Sequence, residues 1–338
     1  MRMAQRFVAS ATLGIAIASI AAHAQTSDSK ATALIAQARK ALGGEQRLAA
    51  LKALSVRGSY RRDGGLPPGA GGGSMNIMIT GPGPAGDSPQ STGDLEIDIE
   101  FPDKYIKVDA GTGMMAMTRT EGFEGDRPFM DIASSSPGMR IINSRPGDEP
   151  NARPAALRRT REDLARLLLG VIAGTQPSFA VTYGYAGQAE APDGKADVID
   201  VKGADNFAAR LFLDADSHQP LMLTYMAPEP RVMMRTSRGD GPPANVTSHN
   251  GPPPQARTAE GLSAEEKARM DQIVKEAQAA PAKLVEYRVF FTDFREVNGL
   301  MLPHHIAKGT ASKTTEEWEI KSYKVNPSIK ADRFKVGS

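Results

Sequence analysis

The 338-residue chain has no cysteine and one tryptophan, and aromatic residues make up only 6% of it. The missing cysteines exclude disulfides and thiolate nucleophiles and leave a structural zinc site without its usual ligands. Charge of one sign is missing too. The 41 Lys and Arg nearly balance the 39 Asp and Glu, and no basic block is dense enough to suggest nucleic acid. Nor is there a long apolar run. Crossing a bilayer takes ~20 apolar residues, whereas residues 7–22 are fewer and are largely Ala, Ser, Ile and Gly. No transmembrane anchor is expected.

The N-terminus instead carries the marks of export. Arg2 and Arg6 precede the short apolar run, and Ala22-His23-Ala24 gives the small-x-small pattern of a cleavage site. Residues 1–24 are expected to be a signal peptide cleaved near Ala24, and the mature chain to be periplasmic. Losing Arg2 and Arg6 leaves that chain close to neutral. Stability without disulfides must come from a core, and about 310 residues suffice for a single domain over 25–338. Two stretches interrupt it: a Gly/Pro-rich loop at 64–74 and a Pro-rich insertion with a thin surface helix at 228–282.

Three segments have helical spacing. Residues 28–42 place Ala31, Leu34, Ile35, Ala38 and Leu42 on one stripe, with Gly43-Gly44 as the stop and a short continuation over 45–54. The second is expected to open at Thr160-Arg161-Glu162-Asp163, an approximate capping box, and to present Leu164, Leu167, Leu168 and Val171 as a lid. The third, over 263–277, lies within the insertion. Most of the remainder alternates with period two, the pattern of half-buried strands. Residues 94–101 show it most cleanly, with Asp94, Glu96, Asp98 and Glu100 on one face and Leu95, Ile97, Ile99 and Phe101 on the other. Asn298-Gly299 is a strong two-residue hairpin signal. Joints this short permit only antiparallel pairing. The expected fold is mainly β (α+β): about a dozen antiparallel strands, with two amphipathic helices to cover a face.

Candidate chemistry is sparse. His304 and His305 are neighbours on a strand, so their side chains point to opposite faces and cannot share a metal. Asp214, Asp216 and His218 fit ordinary loop composition. The acidic row of 94–100 could resemble a glycosidase pair, but its regular alternation reads as a solvated sheet face. The glycines at 69–73 have neither the following Lys nor the helix of a phosphate loop. No catalytic residue, metal or cofactor is therefore assigned, and a hydrolase with an unrecognised site ranks third among the readings.

The positive signal is apolar. One strand parity collects Ile77 and Ile79; Leu95, Ile97, Ile99 and Phe101; Ile106 and Val108; Leu211 and Leu213; Leu221, Leu223 and Tyr225, with Trp318 added to the lining. A wide twisted sheet tends to curl, and such a wall can line a ligand cavity.

Several local motifs follow one another along the chain and have to be read as a set. They are Ala41-Leu42-Gly43-Gly44 leading through Leu51 to Val56-Arg57-Gly58, Phe101-Pro102-Asp103-Lys104, and Gly122-Phe123-Glu124-Gly125-Asp126. Further on come Arg210-Leu211-Phe212-Leu213-Asp214 with Pro220-Leu221, Phe294-Arg295-Glu296-Val297-Asn298-Gly299, Leu302-Pro303-His304, and Tyr323-Lys324-Val325-Asn326-Pro327 with Phe334. Taken together, these motifs resemble the LolA-like superfamily of periplasmic lipoprotein carriers (LolA, LolB) and RseB-type sensors, closest to an uncharacterised exported branch. The resemblance implies a strongly curved, unclosed antiparallel half-barrel, helices lidding its concave face, that holds lipid or lipoprotein acyl chains without cofactor or chemistry. The alternative is an envelope sensor or assembly subunit, with an envelope protein as partner, acting through an edge strand or the Pro-rich arm.

Overall fold

The computed structural model describes residues 28–63, 76–79, 90–112, 117–134, 152–191, 194–228, 233–236, 283–311 and 313–335. The expected signal peptide, the 64–74 loop, most of the 228–282 insertion and its helix lie outside them.

Asp28 caps the first helix, α1 (Ser29–Ala41), its carboxylate accepting from the Lys30 and Ala31 amides at 2.7 and 3.3 Å. Ala31, Leu34, Ile35 and Ala38 form the buried stripe. A second short helix, α2 (Glu45–Ala49), follows and buries Leu48. The chain then enters β1 (Ala53–Arg62), β2 (Asn76–Ile79), β3 (Ser91–Glu100), β4 (Lys104–Gly111), β5 (Met117–Glu124) and β6 (Arg127–Ser134). The long helix α3 (Ala152–Ile172) separates these from β7 (Val181–Ala191), β8 (Gly194–Gly203), β9 (Ala208–Asp214) and β10 (Pro220–Pro228). Last come β11 (Met233–Thr236), β12 (Leu284–Val297), β13 (Leu300–Thr310) and β14 (Thr314–Val325).

Twelve strands form one antiparallel sheet in the order β6-β5-β4-β3-β1-β14-β13-β12-β10-β9-β8-β7. Each side of it is a meander, and the two meet where the first strand pairs with the last, Leu54 opposite Val325 and Tyr60 opposite Trp318. The edge strands β6 and β7 do not pair with each other, so the half-barrel stays open. The hairpin between β12 and β13 turns at Asn298-Gly299 with φ of 53° and 78°, the positive values a two-residue turn of this kind demands.

Helix α3 crosses the concave side, packing on β5 and β6 at one edge and on β9, β10 and β13 across the opening. Leu164, Ala165, Leu168, Leu169, Val171 and Ile172 on α3 join the α1 stripe and the sheet in a single core. At Gly170 a Cβ would stand 2.0 Å from the Phe291 ring, so the helix sits directly on that aromatic.

Four expectations need correction. Helix α3 begins two turns before Thr160, because a proline such as Pro154 is tolerated in a first turn. The Thr160 hydroxyl donates back to the Ala156 carbonyl at 3.0 Å instead of capping. The strand carrying Ile77 and Ile79 does not join the wide sheet: β2 pairs in parallel with β11, within the expected insertion, as a separate two-stranded sheet. Short joints therefore do not dictate every pairing. Ile106 and Val108 pair with Asp98 and Glu96 on the convex face, while their neighbours Tyr105, Lys107 and Asp109 sit opposite Ile99, Ile97 and Leu95. Finally, Leu221 is 38% exposed, because a register shift between Pro220 and Met222 turns it out of the apolar row.

Candidate functional site

The apolar wall of the concave face runs from Leu95, Ile97 and Ile99 on β3 to Leu211, Leu213 and Leu223 on β9 and β10, all of them buried. Tyr225 is also buried, and Phe101 and Trp318 pack against the same core from partly exposed positions. The cover over this wall is helical: Leu164, Leu168 and Val171 are buried, with Leu167 packed at the margin. In this conformation the wall and its helices are in contact. The side chains of Ile77 and Ile79 lie outside the described residues.

Toward the C-terminal ends of β1 and β4 and the N-terminal ends of β5 and β14, the same face becomes charged. Arg62 donates to Asp109 at 3.0 Å and to Glu316 at 2.7 Å, and the Lys107 ammonium lies 3.1 Å from Asp109. The side chains of Arg62, Asp109, Glu316 and Lys107 are only 3, 3, 7 and 10% exposed. Trp318 donates its indole N–H to Glu316 at 2.7 Å, and Lys107 stands 4.9 Å above its ring. Burial pushes the Glu316 carboxyl up, but Arg62, Lys107 and Lys308 outweigh it and hold the group well below the ordinary carboxylate range. Arg62 is held charged in the same way: burial opposes the cation, and Glu316 and Asp109 overcome it.

Aromatic rings and cations continue this rim. Tyr225 and Tyr287 stack at 5.5 Å, and the Lys308 ammonium lies 5.8 and 5.6 Å from the two ring centres. Arg166 of α3 reaches the Tyr225 ring at 4.3 Å while pairing with Glu162 and Asp163 on its own helix. Helix α3 thus touches the charged rim and the apolar wall at once. Chemically, the arrangement suits a molecule with an apolar body and a polar end.

Sequence reasoning missed Arg62, Lys107, Asp109 and Glu316. Parity was a signal for Arg62 and Glu316, which stand in line with Val56 and Tyr60 and with Trp318 and Ile320. Lys107 and Asp109 gave none, because they alternate with Ile106 and Val108 and so read as the solvent side of their strand.

The residues weighed for catalysis or metal binding stay apart. His304 is buried beside Tyr323, ring centres 5.3 Å apart, whereas His305 meets Thr292 at 2.9 Å and Glu319 at 3.7 Å. Asp214 accepts from the amides of Asp216 and Ser217 within its own turn, and the Ser217 amide chiefly lowers its pKa. Among the described residues no group of three or more His, Asp or Glu side chains is placed to hold a metal. The acidic row of β3 is not uniformly solvated, since Asp98 is only 1% exposed. The C-terminal segment covers it, and Arg333 binds it at 2.7 Å.

No family model matches the sequence, and a search among curated proteins finds no match. Among solved structures, the chain is similar to a LolA superfamily protein from Nitrosomonas europaea, at 10% identity and TM-score 0.42 over 90% of this chain and 96% of the other. It is also similar to a structure described as an outer membrane lipoprotein-sorting protein domain from Vibrio parahaemolyticus, at 9% identity and TM-score 0.40 over 89% and 94%. A DUF1329 family protein from Desulfovibrio piger gives 7% identity and TM-score 0.42 over 90% and 96%. Likeness at this level concerns the fold alone, and a functional reading has to stand on the residues of this chain. No described helix is long and apolar enough to cross a membrane.

Proposed function

We propose that this chain is an exported, periplasmic, non-catalytic binding protein whose concave face takes the acyl chain of a lipid or lipoprotein. One observation carries the reading: a wide apolar wall on an unclosed sheet is covered at its centre by a single helix, α3, resting on the ring of Phe291. An acyl chain entering this face replaces the α3 leucines on the wall, exchanging one apolar cover for another. Each CH₂ buried contributes about 0.8 kcal/mol, so a long chain offsets much of the cost of lifting the helix. The charged rim then meets the polar end of the ligand. The reading of residues 1–24 as a signal peptide supports a periplasmic location, where such ligands occur.

The test uses Trp318, at the boundary of wall and rim, as a fluorescent reporter. A palmitoylated peptide should change its emission saturably, and the same peptide without the acyl group should not. Gly170→Ala, which forces α3 away from Phe291, should shift the midpoint by at least threefold (about 0.65 kcal/mol). Acylated peptide that leaves Trp318 unchanged, together with lipid-free protein recovered from membranes under gentle conditions, would sink the reading.

A second reading, a sensor or assembly subunit, draws on the open edge. No described strand pairs with the outer side of β6, and Met130 on that strand is 41% exposed. Deleting residues 230–281 separates the two: a carrier keeps its acyl binding, whereas a scaffold acting through that arm loses its protein partner.

A further inference from the structure

The convex face, opposite the proposed acyl site, carries a cavity of about 590 Å³. Its floor is the sheet, where Ile106, Val108 and Thr120 lie on neighbouring strands. Its roof is the arch of residues 327–333, which leaves the sheet after β14 and returns over β4 and β5.

Both ends of the arch are pinned. At the start, the Asn326 side chain accepts from the Lys52 and Ala53 amides at 2.6 and 3.1 Å and donates to the Ala50 carbonyl at 3.0 Å. At the far end, Phe334 is 1% exposed. Arg333 binds Asp98 at 2.7 Å and Glu96 at 2.6 Å, and Arg57 and Ser55 hold the remaining Asp98 contacts at 2.9 and 2.6 Å. Burial pushes the Asp98 carboxyl up, but hydrogen bonds from Arg57, Ser55 and Arg333 outweigh it and keep the group charged. The space beneath the arch is therefore a built feature, of a size typical of small-molecule sites.

Its chemistry is two-sided. Ile106 and Val108 below and Pro327 and Ile329 above make it apolar inside. At its rim stand Lys324 and Lys330, both exposed and both without an ion pair among the described residues. Arg57 and Arg333 also line this space but are engaged by Asp98 and Glu96, and the Asp332 carboxylate offsets part of the lysine charge, so a singly charged anion fits better than a doubly charged one. We propose that the cavity is a second binding site, specific for a small amphiphilic carboxylate, its tail on Val108 and Ile329 and its charged end at Lys324 and Lys330. It is independent of the concave face, where no residue of this lining lies.

The experiment is a titration of the full mature chain, with labelled Ile, Leu and Val methyl groups, against decanoate, decanol and decyl phosphate. Decanoate should shift the methyls of Ile106, Val108 and Ile329 saturably, with decanol and decyl phosphate each at least tenfold weaker there. The double variant Lys324→Ala/Lys330→Ala, altered only at exposed positions, should weaken decanoate at least tenfold without moving the thermal midpoint. Shifts confined to Ile199 and Leu211 would place the amphiphile on the concave face and overturn the second site while leaving the acyl reading intact. Decanol or decyl phosphate binding as tightly as decanoate, or no shift at the convex methyls, also overturns it.

Discussion

On the concave face Arg62, Lys107, Asp109 and Glu316 are all buried, each relying on the others beside an apolar wall. On the convex face Asp98 is the buried group, while its partners Arg57 and Arg333 keep 38 and 28% of their side-chain surface exposed. The same ion-pair chemistry therefore has two settings. Water can replace a lost partner on the convex side and cannot readily do so on the concave side. Charge deletions should accordingly cost much more inside the curve of the sheet than outside it.

The largest effect should come from Glu316→Ala, which strands Arg62 and Lys107 with Asp109 alone. About 3–5 kcal/mol of stability should be lost, read from urea unfolding followed by Trp318 emission. A loss no larger than that of a surface pair would break the contrast between the faces.

Acid should act in the same direction. The folded-state pKa values of Glu316 and Asp98 lie below their ordinary values of 4.5 and 3.8. Their stabilisation is thus present at neutral pH, begins to fall below about pH 5 and drains further as the folded-state values are approached. Glu316→Gln should make the acid limb of a stability–pH profile shallower; an unchanged slope would show that this carboxylate is not among the groups responsible.

Leu168→Ala should cost about 2–5 kcal/mol, since the side chain is fully buried between α3 and the wall. If the helix lifts for ligand, bound acyl chain should recover part of that loss, which calorimetry with and without the acylated peptide would reveal. Arg333→Ala, on the convex side, removes charged hydrogen bonds from a half-exposed donor. It should cost no more than about 1.5–3 kcal/mol, measured by the same denaturation, with Arg57 and Ser55 still holding Asp98. The smallest effect is expected for Arg61→Ala, whose partner Glu317 is a surface residue. A change above about 1 kcal/mol there would mean that convex ion pairs are stronger than their exposure implies.

Much of the fold was legible because period-two alternation is a local property of the chain. The alternation of Leu95, Ile97 and Ile99 with acids names a strand and its inner face, and Asn298-Gly299 names the turn and the pairing it enforces. Parity failed where a distant segment changed which face is covered. Ile106 and Val108 were grouped with the concave wall because they are apolar, and the arch that buries them on the convex side comes more than two hundred residues later. Asp98 was read as solvated for the same reason. Leu221 was lost to a bulge that no composition signals, and the β2–β11 pairing joins two short strands on either side of the central sheet sequence.

The charged rim is the opposite case. Arg62 and Glu316 break the apolar parity of their strands, a conflict visible in the sequence, whereas Lys107 and Asp109 alternate regularly with Ile106 and Val108 and show none. Its resolution brings Arg62 of the first strand against Glu316 of the last where the two meanders join, with Lys107 and Asp109 completing the cluster.

By itself, then, the sequence determined most of the strands, the inner faces of those whose covering is local, the amphipathic stripe of α3 and a stability that owes nothing to disulfides, because these follow from side-chain periodicity and composition. Tertiary structure decided which buried charges are matched, where the sheet stops short of closing and which face the C-terminal arch covers. Those depend on contacts between segments far apart in the chain, and no local pattern encodes them.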